Sequence, residues 1–232
     1  MKTRAILMIL VALTLLAPIE AAADGWLKAV HGLDGRDLGT NKAFPVDVSV
    51  SGIGCVLTDF KFGEITPYIQ LPAGTYTIDI SPADGACGNA PVLSPEVKVR
   101  NDRYTTAVAH LDENGNPTAS AFQDDQSPAR EKNGRITIRH TAAAPTVDIT
   151  YGNRNQKDRN YTFSGLSNSQ QGSATFFQKN YKATIYPYRD SAVVAGPVSA
   201  PITAGANLFV YAVGSLANDT FTLLVDAEPL EH

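Results

Sequence analysis

Two histidine–aspartate sets recur in the sequence and are its first candidates for chemistry. The stretch RHTAAAPTVDI contains His140 and Asp148, and the earlier stretch VHGLDGRDLGTNKAFPVDV contains His31 and Asp47. A histidine beside a carboxylate can transfer protons or hold a metal ion. A pair that occurs twice suits a requirement of the fold better than a unique active site. We therefore interpret His31 with Asp47, and His140 with Asp148, as structural pairs that hydrogen-bond across neighbouring strands.

An acidic loop is the second candidate. GLDGRDLGTN carries Asp34, Asp37 and Asn41, whose side-chain oxygens suit Ca²⁺. A second loop, LDENGN, is explained by an Asn-Gly hairpin turn. Neither loop follows the EF-hand spacing, so calcium is the weaker interpretation for both.

Aromatic side chains crowd the second half of the chain and suggest a recognition surface. If Ile185 points into a core, the alternation of a strand turns Tyr186 outward. Tyr186 and Tyr188 could then stack on sugar rings. The favoured alternative is that these tyrosines cover a half-buried sheet edge or a contact between the two halves.

The sequence lacks the motifs of the common hydrolases. It contains no G-x-S-x-G, no H-E-x-x-H and no phosphate-binding glycine loop. Its native histidines, His31, His110 and His140, are scattered over different predicted strands. We therefore predict a protein that is not an enzyme and needs no cofactor.

The N-terminal sequence MKTRAILMILVALTLLAPIEAAADG has the layout of a secretory signal peptide, which we place at residues 1–23. Its apolar run is too short for a comfortable membrane span, and no second apolar segment follows. The formal net charge of -4 argues against nucleic-acid binding. In an oxidising compartment Cys55 and Cys87 are most simply a disulfide, with free thiols and a metal or redox role as alternatives.

Short runs rich in Val, Ile, Thr, Tyr and Phe, separated by Gly, Pro and Asn, predict strands throughout the mature chain. Several residues recur at a spacing of 105, such as Tyr76 with Tyr181 and Val97 with Ile202. We predict an all-β protein of two tandem immunoglobulin-like antiparallel sandwiches, each with about seven to eight strands. The predicted segments are the sandwiches 24–124 and 135–229, a linker at 125–134 and a tag remnant at 230–232.

The strand that ends in His, the Pro-x-Val-Asp-Ile run and the turn in AGTYTIDISPADG together resemble tandem bacterial repeats known as domain of unknown function 4397. The resemblance covers about 27–124 and 135–227. In the second copy the Gly before Tyr181 is missing, and in the first the loop between His and Asp is long. The resemblance implies a sandwich fold and an exported or surface protein, with no reaction attached.

These observations predict a secreted or periplasmic binding, adhesion or envelope-structural module. Its predicted partner is a protein or glycan at the cell surface, and it is a monomer or a weak homo-oligomer without a membrane span after signal cleavage. The alternatives are a carbohydrate-binding accessory protein and a metal-dependent surface enzyme.

Overall fold

The computed structural model describes residues 23–152 and 161–230, and within these ranges the chain forms sixteen strands and one 3₁₀ helix, Gly35–Leu38. The first eight strands are β1 (Asp24–His31), β2 (Val46–Val50), β3 (Gly54–Phe60), β4 (Ile69–Pro72), β5 (Gly74–Pro82), β6 (Glu96–Val99), β7 (Tyr104–Leu111) and β8 (Pro117–Asp124). The other eight are β9 (Asn133–His140), β10 (Val147–Gly152), β11 (Tyr161–Leu166), β12 (Gln170–Phe177), β13 (Lys179–Pro187), β14 (Ala195–Ile202), β15 (Ala206–Val213) and β16 (Thr222–Pro229). Among the described residues, no helix is long and apolar enough to cross a membrane.

Each half of the chain folds into two four-stranded sheets. In the first half the strand orders are β4-β1-β7-β8 and β3-β2-β5-β6, and in the second they are β12-β9-β15-β16 and β11-β10-β13-β14. The two halves therefore share one topology. Pairing is antiparallel except for β1 with β7 and β9 with β15, which are parallel. The predicted all-β fold with two sandwiches is confirmed.

Each sandwich has its own apolar core because alternate side chains of its strands point between the two sheets. In β5, for example, Ile78 and Ile80 are buried in the first core. Ile149 in β10 and Ile185 in β13 are buried in the second. Burial of the Ile185 side chain agrees with the predicted alternation around it.

A third apolar cluster joins the two sandwiches. It contains Val30 and Val108 from the first half and Phe209, Tyr211 and Val213 from the second. The sheet containing β1 and β7 thus packs against the sheet containing β9 and β15, and the four sheets form one stack. The central strands are buried on both faces, so that seven of the eight residues of β9 are buried although its sequence alternates apolar and polar side chains.

The constant spacing of 105 between the halves holds through β5 and β13 but fails afterwards. Gly74 pairs with Val99, while Lys179, its equivalent 105 residues later, pairs with Ile202. Val99 therefore corresponds to Ile202, so the predicted match of Val97 with Ile202 is wrong by two residues. The difference of two residues arises in the irregular segment that follows β5 and β13, where equal spacing in the sequence does not determine which residues pair.

The predicted signal peptide lies outside the described residues except for Ala23, and so does most of the predicted tag remnant. The predicted linker begins directly after β8, but β9 already starts at Asn133. The linker is tied down, because Arg135 donates from Nη1 to the carbonyl oxygens of Asp125 (2.7 Å) and Ser127 (3.0 Å).

Candidate functional site

The histidine and aspartate of each predicted pair have separate partners. His31 Nε2 lies 2.9 Å from the carbonyl oxygen of Phe44, and the amide of Leu33 donates to Nδ1 at 3.3 Å. The proton of the neutral ring is therefore on Nε2, which donates to Phe44. His140 Nε2 makes the equivalent contact with the carbonyl oxygen of Pro145 at 2.9 Å. Each histidine thus holds the loop three residues before its aspartate.

Asp47 caps a neighbouring loop. Its carboxylate accepts backbone N–H bonds from Asp59 (2.9 Å), Asp84 (3.0 Å), Gly85 (2.8 Å) and Cys87 (3.2 Å). These bonds hold the pKa of the Asp47 carboxyl well below its usual range, against the opposing effect of burial. Backbone N–H groups occupy the acceptor positions of the Asp47 carboxylate, so it does not accept a hydrogen bond from His31.

Asp148 has the same kind of role in the second sandwich. It accepts from the Ser164 hydroxyl (2.7 Å) and from the backbone amides of Gly165 (2.8 Å) and Arg189 (3.2 Å). These bonds, the Ser164 hydroxyl first among them, lower its pKa. The predicted hydrogen bonds from His31 to Asp47 and from His140 to Asp148 are therefore wrong in their partners. The backbone outcompetes the imidazole because the loops present N–H groups directly to each carboxylate.

The predicted calcium loop uses its oxygens within the protein. Asp34 is buried and receives the forked guanidinium of Arg36, with contacts of 2.8–3.3 Å. Asp37 accepts from the Thr220 hydroxyl (2.7 Å) of the second sandwich. Asn41 Oδ1 accepts from the amide of Phe44 at 3.1 Å. Among residues 23–152 and 161–230 no group of three or more His, Cys, Asp or Glu could hold a metal ion. The three side chains thus have partners within the protein, and calcium binding by this loop stays a prediction.

Cys55 and Cys87 form a disulfide with 5.8 Å between their Cα atoms. It fastens the edge strand β3 to the loop that follows β5. The backbone amide of Cys87 also donates to Asp47, so the bridge and the carboxylate hold the same loop.

Tyr186 and Tyr188 lie near one end of the outer sheet of the second sandwich. Tyr186 is half-buried and opposite Asp148 in β10, and the Tyr188 side chain is 41% exposed. The guanidinium of Arg189 lies 4.7 Å from the centre of the Tyr188 ring. One partly exposed ring with a cation over it is therefore present at this end of the sheet.

Sequence reasoning missed a cluster of polar and aromatic side chains that lies between the sandwiches, which we call the junction. Its members are Lys28, Tyr68, Thr106, Phe122 and Asp124 from the first sandwich and Arg139, Phe209, Tyr211, Asp226 and Glu228 from the second. Lys28 and Arg139 are both fully buried. The sequence signal was the presence of Arg135 and Arg139 on either side of the apolar Ile136 and Ile138 in β9.

The first half of the junction is built around Arg139. Its guanidinium forms a buried ion pair with Asp124 and donates to the Tyr211 hydroxyl at 3.0 Å. Asp124 also accepts from the hydroxyls of Thr106 (2.6 Å) and Tyr68 (2.7 Å). Both charges are thereby paired and hydrogen-bonded, as burial requires.

The second half of the junction is built around Lys28. Its ammonium group forms ion pairs with Asp226 and Glu228 on β16 and lies 4.3 Å from the centre of the Tyr68 ring. Lys28 and Arg139 therefore each cross from one sandwich to the other. Specific polar partners and apolar packing together fix how the two sandwiches lie.

The three buried histidines predict a loss of stability in mild acid. Burial lowers the pKa of His31 and His140 and lowers that of His110 to about 4. An unfolded histidine has a pKa of about 6.5, so the unfolded chain binds more protons between pH 6.5 and 4. This contribution to stability is complete above pH 6.5 and is lost as the pH falls towards 4, with His110 alone accounting for about 3 kcal/mol. Urea unfolding at several pH values measures this loss.

His110→Gln is the matched variant for that measurement. The His110 ring sits between the carbonyl oxygen of Leu111, 2.7 Å from Nδ1, and the hydroxyl of Ser120, 2.8 Å from Nε2. Glutamine retains a donor and an acceptor but does not titrate. The variant should show a shallower fall in stability between pH 6.5 and 4, and an unchanged fall would contradict the assignment.

The strand orders, the two cores and the junction define an all-β protein of two stacked sandwiches. Residues 39–150 match the model of the family described as a domain of unknown function, DUF4397, which confirms the resemblance over that span. The span covers slightly less than half of the 232 residues and runs from the first sandwich into β10. A second copy of the family domain in the other half stays a prediction.

Two solved structures are similar to the chain. The TIE protein of Bacillus anthracis is 12% identical with a TM-score of 0.25, over 83% of this chain and 33% of that one, so our chain spans about a third of its length. A protein of Bacteroides ovatus ATCC 8483, named for a proposed role in cell adhesion, is 10% identical with a TM-score of 0.28, over 89% of this chain and 97% of that one. None of the curated proteins compared with the sequence matches it.

Proposed function

We propose that the protein is a non-enzymatic, exported binding module, secreted or periplasmic, which recognises a glycan or a protein at the cell surface. The observation that carries the proposal is that the side chains able to do acid–base or metal chemistry bind partners within the protein. His31, Asp47 and Asp148 are engaged by backbone groups, and Arg139 and Asp124 engage one another. These groups hold loops and sheets in place, which leaves recognition to the outer surfaces.

The junction supports the same function because it makes the two sandwiches one body. Their outer sheets are then held at a fixed distance and angle, so that a ligand contacting both halves would not have to order a flexible linker first. We infer that the protein acts as a monomer or weak homo-oligomer.

A glycan is the ligand class favoured by a specific observation. The Tyr188 ring is 41% exposed and the Arg189 guanidinium lies over it, so an aromatic surface and a hydrogen-bond donor occur together, a combination suited to sugar rings. The half-buried Tyr186 is two residues earlier in the chain.

Glycan binding is tested by titrating the protein with a panel of envelope oligosaccharides and comparing Tyr188→Ala with the unmodified chain. Loss of one stacking ring should weaken binding about tenfold. The control is Tyr161→Ala, because Tyr161 is 44% exposed but lies opposite Tyr151 at the other end of the same sheet.

An equal affinity in the Tyr188→Ala variant and the unmodified protein would contradict the glycan site. If the protein binds a purified surface protein and Tyr188→Ala does not weaken that binding, the function as a binding module stands and its partner is a protein. Turnover of any oligosaccharide would contradict the non-enzymatic function itself.

A further inference from the structure

The first sandwich encloses an apolar cavity between its two sheets. Its volume is about 240 Å³. The wall is formed by aliphatic side chains such as Leu27, Val48 and Ile80, and its polar lining residues are His31 and Thr66. His31 uses both ring nitrogens in the bonds described above, and the Thr66 hydroxyl oxygen accepts from the amide of Ala29 at 2.9 Å. No charged residue lines the cavity.

The second sandwich shows why this space exists. Since His31 is opposite Ala109 and His140 is opposite Ala212, the register of β7 and β8 can be compared directly with that of β15 and β16. Ala109 faces Ala119 in the first sandwich, and Ala212 faces Leu223 in the second. The next pair on the same face is Ala107, which lines the cavity, with the exposed Ala121, where the second sandwich has Val210 with the exposed Val225. The corresponding cavity of the second sandwich measures only about 120 Å³.

The strands that cover the edges of β1 and β9 also differ. β4 pairs with β1 only from Asp24 to Leu27, whereas β12 pairs with β9 along all eight residues. Residues 63–66 cover the rest of the β1 edge through backbone hydrogen bonds to Ala29 and His31, so the covering chain is irregular at residues 67 and 68. At this irregularity the cavity wall contains Pro67 and Ile69, the first residue of β4, and both are exposed. A small molecule could therefore enter at this edge without separating the sheets.

We infer that the first sandwich binds a compact, uncharged, apolar molecule of one or two rings in this cavity. A dry apolar cavity of about 150 Å³ is enough to bind benzene, and apolar cavities of this kind do not hold water well. The larger space accommodates a larger ring system, and a charged group would find no counter-ion in the wall. The site is independent of the surface proposed for glycans, which lies on the other sandwich.

Indole, toluene and benzoate are suitable probes, used in calorimetric titrations with the full protein. Indole and toluene should bind saturably and raise the melting temperature, and benzoate should bind at least tenfold more weakly than toluene because of its charge. The variant Ala107→Val with Ala119→Leu places the side chains of the second sandwich in the first. It should lose binding by tenfold or more.

Leu223→Ala is the matched control, because it removes the same bulk from the second sandwich and should leave binding in the first cavity unchanged. If the filled variant does not fold, the methyl groups of alanine-labelled protein supply the readout. Toluene should then give nuclear Overhauser contacts to Ala109 and Ala119. Absence of saturable binding to the unmodified protein, or unchanged affinity in a folded filled variant, would overturn the inference.

Discussion

Replacing Arg139 with methionine should lower the free energy of unfolding by about 3–5 kcal/mol. The reason is that Asp124 would stay buried with its charge no longer compensated. The methionine side chain preserves much of the packing against Phe122 and Phe209, whose ring centres lie 4.8 and 4.9 Å from the guanidinium carbon. Urea unfolding, followed by circular dichroism, measures the change.

The double variant Arg139→Met with Asp124→Leu distinguishes the stability lost through an unpaired buried charge from the stability lost through altered packing. It removes both charges and should be more stable than Arg139→Met alone, since replacing both members of a buried pair is often neutral. Lys61→Met serves as the control, because its ion pair with Asp59 is exposed and should change stability by no more than about 1 kcal/mol. Equal effects of Arg139→Met and Lys61→Met would contradict the role given to the junction.

Replacing Cys55 and Cys87 together with alanine should cost about 3–4 kcal/mol of stability. The bridge closes a loop with a sequence separation of 32, and most of its effect is a restriction of the unfolded chain. The loss should be measured by urea unfolding of the double variant at neutral pH.

Two controls test whether the loss of stability comes from the disulfide. The unmodified protein treated with a reductant should lose stability to a similar extent, and the double variant should then be insensitive to reductant. The described second sandwich has no disulfide, so its amide-exchange protection in the native state should change less than that of the first. A double variant as stable as the unmodified protein would contradict the prediction.

The sequence was sufficient to predict strands, sandwiches and the cysteine pair because these depend on local signals. Alternation in TYTIDI and turn residues around it identify β5 without knowledge of the rest of the chain. The slip of two residues after β5 could not be predicted, because register there depends on hydrogen bonds between strands distant in sequence.

The site was predicted less well for a related reason. His31 and Asp47 were correctly singled out as recurring residues, but their partners are backbone groups, which any sequence contains. Arg139 was overlooked because alternation places it on the outward face of β9, and alternation alone does not reveal that a second sandwich covers that face. The cavity depends on Ala119 where the other half has Leu223, a comparison that requires the correct register.

The parallel pairs at the centre of each sandwich have a consequence for how the chain folds. β1 pairs with β7, so the first strand of the sandwich must wait for a strand more than seventy residues later in the chain. Such distant pairings give slow folding, on the millisecond to second scale, because the loop must close before any of its contacts form. During that interval the backbone edge of β1 that faces β7 is unpaired, and Lys28 and Val30 stay uncovered longer still, until the second sandwich packs against them. The newly made first half is therefore exposed to binding by a chaperone.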